Sequence, residues 1–91
     1  MFGSEEFLAV AKQSVLEMAI EGLDPTDHVE VTLKDIYVTW FAYTLGNMKA
    51  LLSTSLPDGR YYEVTYNKET KEIYVDCYGK LRQKIVTVNL D

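Results

Sequence analysis

Cysteine and histidine each occur once, as Cys77 and His28. The chain therefore holds neither a disulfide pair nor the roughly four ligands that a structural zinc site takes. A lone thiol suits a reducing compartment. No apolar run approaches the ~18 residues of a membrane span, and Gly3, Ser4, Glu5 and Glu6 carry the wrong charge for a secretory leader. A cytoplasmic, soluble setting with no membrane contact is the expectation. Positive charge is scarce as well: nine Lys and Arg stand against fourteen Asp and Glu, a net charge of -5. That balance argues against binding of nucleic acid through its phosphates as the main task. The one basic cluster, Lys80, Arg82 and Lys84, reads most simply as a solvated edge. No glycine-rich turn opens a helix in a way that would aim backbone N–H groups at an anion.

What is present is the composition of one small globular domain: 91 residues, 47% hydrophobic and 25% charged. At about 0.05 to 0.15 kcal/mol per residue, a stability of roughly 5 to 13 kcal/mol is expected. From Ser4 to Glu21 the residues Phe7, Leu8, Ala11, Val15, Met18 and Ala19 recur at three- and four-residue spacing, which predicts a helix with one apolar face. Ser4 is the expected N-cap, Glu5 and Glu6 meet the positive end of the dipole, and Gly22 is placed to end the helix in a left-handed conformation. Val10, Leu16 and Ile20 widen the stripe and predict packing on more than one side. Asp24-Pro25 and Asp27 mark a loop. Val29 to Leu33 alternates like a short strand, with a capped turn over Thr32 to Asp35 as the alternative.

Three turn signals then divide four strand-like runs, at about 36–45, 48–56, 60–66 and 72–78. They are Leu45-Gly46-Asn47-Met48, Leu56-Pro57-Asp58-Gly59-Arg60 and Asn67-Lys68-Glu69-Thr70. Pairing outward from each turn lays Phe41, Leu52, Val64 and Ile73 in one row. Thr39, Thr54, Tyr62 and Val75 flank it on one side, and Tyr43, Ala50, Tyr66 and Lys71 on the other. This apolar face should meet the helix, because a slip of one residue would turn a strand inside out. The opposite face carries Trp40, Ser53, Glu63 and Tyr74 in its central row, with Val38, Ser55, Tyr61 and Asp76 beside it. After Gly79, residues 85–90 read as a last edge strand. The fold expected is α+β: an N-terminal helix packed on a four-stranded antiparallel meander sheet, with one or two short extra strands.

The string WFAYTLGNMKALLSTSLPDGRYYEVTY, running from Trp40 to Tyr66, resembles the central block of a family of small phage and prophage proteins of Gram-positive bacteria, catalogued as a domain of unknown function. The likeness extends from EEFLAVAKQSV in the first helix to IYVDCYGK. It implies a phage or prophage origin and the cytoplasm of an infected or lysogenic bacterial host, and it supplies no catalytic residue.

Candidate chemistry is thin, and no enzymatic activity or cofactor is expected. Cys77 and His28 would make a nucleophile and base, but the register puts Cys77 on the core face, where a single cysteine serves as a small apolar filler. Glu63 and Asp76 point to the same face and make an acid pair without an evident cavity. Lys49 and Arg60, with nearby tyrosines, offer an alternative site for a nucleotide or small ligand. The stronger candidate is the mixed sheet face. Trp40, Tyr61 and Tyr74 give large contact area with a polar handle each, while Glu63, Glu72 and Asp76 make the patch acidic and suited to a basic partner. The partner would be a host or phage protein, or a second copy of the chain forming a homodimer. The plainer reading is that the loop 23–35 or the last segment covers this face as a second small core.

Overall fold

A computed structural model of the chain describes residues 2–26 and 28–89. Its elements are helix α1 (Ser4–Glu21), a 3₁₀ turn (Leu33–Asp35), and strands β1 (Ile36–Thr44), β2 (Asn47–Thr54), β3 (Arg60–Asn67) and β4 (Glu72–Gly79). The strands form one antiparallel meander in the order β1-β2-β3-β4, with α1 against one face. The architecture is the α+β arrangement expected. Asp27 of the expected loop and Leu90 of the expected last strand lie outside the described residues.

Four residues at strict i, i+4 spacing, Phe7, Ala11, Val15 and Ala19, are buried beneath α1. Alanine at two of these positions lets the helix backbone approach the sheet closely. Of the three residues expected to widen the stripe, Leu16 packs against the core while Val10 and Ile20 are exposed, so the helix is covered on one side only. Its cap also differs: Gly3, in extended conformation, is the N-cap, and its N–H donates to Glu6 Oε2 at 3.1 Å. Ser4 is already the first helical residue. Gly22 ends the helix at φ -83° rather than in the left-handed region. Its lack of a side chain serves space instead, since a Cβ there would stand 2.8 Å from Arg60 Nη1. The last turn of α1 has no basic residue of its own, and the Arg60 guanidinium brings positive charge to that negative dipole end.

No strand forms over residues 29–33; the capped turn does. The Thr32 N–H donates to Asp35 Oδ2 at 2.9 Å, and Ser55 Oγ donates to Asp35 Oδ1 at 2.8 Å. These donors, with the backbone N–H of Thr32 foremost, hold the Asp35 carboxyl below the usual carboxylate range. The turn drops Val31 into the core beside the helix.

Every hairpin is centred one residue away from its expected position. The first turn is Leu45-Gly46, with φ +52° and +88°. Two positive values in succession are what a two-residue hairpin with the right strand twist requires, and they place Gly46 second in the turn. Asn47 is thereby freed to accept the Lys68 N–H at 2.9 Å. In the second, β2 stops at Thr54, whose Oγ1 accepts the Leu56 N–H, while Asp58 Oδ1 accepts that of Arg60. In the third, Asn67 Oδ1 takes two loop N–H groups and Lys71 enters the loop at φ +58°. Moving a turn by one residue moves its pairing by two.

The rows are therefore Phe41–Ala50–Val64–Val75, Tyr43–Met48–Tyr66–Ile73 and Val38–Leu52–Tyr62–Cys77. The expected row of Phe41, Leu52, Val64 and Ile73 does not form, although all four side chains keep the face assigned to them. A β-bulge between Val38 and Trp40 takes Val38 and Thr39 off the faces expected of them. Thr39 becomes the bulged residue, with its hydroxyl on Leu51 O at 3.1 Å, and Val38 turns to the core side. Met48, Ala50, Leu52, Tyr62 and Val64 are at most 2% exposed. Residues 80–89 form no strand and are exposed throughout.

Candidate functional site

The outer face of the sheet is built from three cross-strand rows: Trp40–Leu51–Glu63–Asp76, Ala42–Lys49–Thr65–Tyr74 and Tyr37–Ser53–Tyr61–Tyr78. Strand alternation puts these side chains opposite the helix. All five residues proposed for partner binding, Trp40, Tyr61, Glu63, Tyr74 and Asp76, stand on this one surface. Trp40 is 48% exposed, Tyr61 45% and Tyr74 46%. Neither the described part of the 23–35 connection nor residues 80–89 cover them, and Val31 of that connection packs on the helix side instead.

Two aromatic residues escaped the sequence reading. Tyr78 shares the even-numbered parity of Tyr74 and Asp76, which was the available signal, and its ring stacks on Tyr61 at 5.2 Å and 17°. Tyr37 was hidden by the bulge: a strand without it would have sent Tyr37 to the core side, whereas the structure places it outside at 49% exposure.

Electrostatics across the face follow the carboxylates. Glu63 and Asp76 sit directly opposite one another, and like charges in that relation raise the local negative potential. Lys49 Nζ lies 3.1 Å from Glu63 Oε1, offsetting one of the two. The Tyr78 hydroxyl registers the balance: its pKa is raised, first by the Glu63 charge, then by desolvation and by Asp76. Tyr74 donates its hydroxyl to Glu72 Oε1 at 3.1 Å, which orients the ring along the strand.

Lys49 and Arg60 are not brought together. Lys49 belongs to the outer face, while Arg60 leans toward the C-terminal end of α1. There it lines a cleft of about 270 Å³ shared with Asp24, Asp58, Val29 and Leu56. The Asp24 carboxyl is held below its ordinary range, chiefly by the Thr26 N–H, so this cleft carries anionic groups beside its one cation. Cys77 keeps the helix-side face but is exposed, because it sits toward the far end of an edge strand. It is not the buried filler expected.

No group of three or more His, Cys, Asp or Glu with metal-binding geometry occurs among the described residues. No helix among them is long and apolar enough to cross a membrane. No curated protein and no solved structure matches the chain. A family model does match, over residues 8–88, which takes in most of the helix, all four strands and most of the segment beyond them. The chain thus belongs to the family of unknown function DUF6275.

Proposed function

We propose that the chain is a non-enzymatic accessory protein of phage or prophage origin that works in the bacterial cytoplasm by binding a host or phage protein through the outer face of its sheet. One observation carries this reading: five aromatic side chains, each 40 to 49% exposed, share a face that no other described element covers. Rigid rings of this kind lose little conformational entropy on docking and bury much area. The Glu63–Asp76 pair between them favours a partner that presents arginine or lysine. The likeness of the central block to small phage proteins supplies the setting.

In pull-downs from infected cells, Trp40→Ala with Tyr74→Ala should lose a partner that the parent chain retains, with an unchanged far-ultraviolet circular dichroism spectrum. Retained capture, or unfolding of the variant, would count against the outer face as the docking surface. Nucleotides are expected to leave the melting temperature unmoved. A ligand at 100 times its dissociation constant would add about 2.7 kcal/mol of stability, so a shift would favour the ligand-binding alternative instead.

A further inference from the structure

The segment beyond β4 is written like a strand but pairs with no other element among the described residues. Leu81, Ile85, Val86 and Val88 are 67 to 97% exposed. Among the described residues, no strand ladder and no backbone hydrogen bond engages residues 81–89. The radius of gyration, 15.7 Å, exceeds the about 12 Å of a compact chain this long, as a projecting arm would make it. The arm is nevertheless part of the family domain, since the match runs to residue 88.

The sheet offers two edges, and they are not equivalent. The β1 edge is interrupted by its bulge, a device that blunts pairing. The β4 edge is unbroken over eight residues, paired on its inner side only and without a register shift. At about 3.3 Å per residue, residues 80–89 have the length to run along all of it.

We propose that two copies of this chain exchange their arms. Each arm adds a fifth, antiparallel strand to the partner's β4, about a two-fold axis through Lys80. This register sets Lys84 opposite Asp76, Arg82 opposite Tyr78 and Val86 opposite Tyr74 on the outer face. On the helix side it sets Ile85 opposite Val75 and Gln83 opposite Cys77. Arg82 and Lys84 thus meet an aromatic and an acidic residue of β4, while the two Lys80 face each other at the axis, and an apolar residue of the arm extends the core layer. The interface is isologous, so one surface serves both partners. It is built on an edge, but its outer side chains lie beside Asp76, Tyr78 and Tyr74 of the face proposed for the other partner; the dimer is tested without reference to that partner.

Sedimentation of the full chain at tens of micromolar should give a dimer. Ile85→Asp should give a monomer with unchanged circular dichroism, because Ile85 is 82% exposed within a single chain. Gln83→Cys should form a covalent dimer under mild oxidation, through Cys77 of the other copy. Within one chain the two sulfurs would lie about 20 Å apart along an extended strand, well beyond disulfide reach. A parent chain that is monomeric, a dimer that Ile85→Asp leaves intact, or a Gln83→Cys variant that cross-links no more than the parent would each overturn the exchange.

Discussion

Tyr62 concentrates the packing problem of this small core in one side chain. It is 1% exposed, sits opposite Cys77 on the helix side of the sheet, and has its pKa pushed up to about 12, first by burial and then by the nearby Cys77. The neutral phenol is the form the fold accepts. With an unfolded value near 10, its contribution is complete below about pH 10 and is lost as pH climbs toward 12, amounting to about 3 kcal/mol. Absorbance at 295 nm should therefore show Tyr62 among the late-ionising members of the seven tyrosines, together with Tyr78, whose pKa is also raised. Urea midpoints measured at pH 9 and again near pH 11.5 should fall much less for Tyr62→Phe than for the parent. An equal fall in both proteins would place the alkaline sensitivity elsewhere.

At the scale of elements, turn chemistry decides what the strand pattern leaves free. Alternation in β1 to β4 was legible, because Met48, Ala50, Leu52 and Tyr62, Val64, Tyr66 repeat with period two. An error of one residue in a turn centre is an error of two in pairing, which preserves faces while changing neighbours. The aromatic outer surface therefore emerged from the sequence although no expected row did. The bulge at Thr39 was not legible, since nothing in Val38-Thr39-Trp40 marks an extra residue, and it alone moved Val38 inward and Tyr37 outward. The strand expected over 85–90 reflects β-branched alternation correctly, but a strand needs a neighbour that the single chain does not give it.

The same scale yields a test at the first hairpin. Leu45 is held at φ +52° and is 83% exposed, so its left-handed conformation costs about 1 to 2 kcal/mol with no burial in return. Leu45→Asn should raise stability by about 1 kcal/mol in urea melts, because asparagine tolerates that region. Gly46→Ala should do the reverse. Gly46 lies at φ +88°, and an added Cβ would strike the Lys68 side chain. If both substitutions were neutral, the hairpin would have another turn and β1 another register.

Taken whole, the molecule is an open two-layer structure: one helix, one sheet, one covered face. The buried cluster is confined to the helix side, and the Lys49–Glu63 ion pair of the outer face is only half-buried. Two large residues a strand apart report on this asymmetry. Leu52 in β2 is 0% exposed beneath α1, and Trp40 in β1 is 48% exposed on the other side. Truncating a fully buried leucine costs about 2 to 5 kcal/mol, a large share of the about 5 to 13 kcal/mol expected for this length. Leu52→Ala should thus lower the melting temperature by at least about 8 °C, at roughly 4 to 8 °C per kcal/mol for a domain of this size. Trp40→Ala should cost about 1 kcal/mol or less, as surface substitutions do, although it removes the larger side chain. Comparable losses in the two variants would mean that the outer face is packed against something in solution, and that the bare aromatic surface belongs to the isolated chain alone.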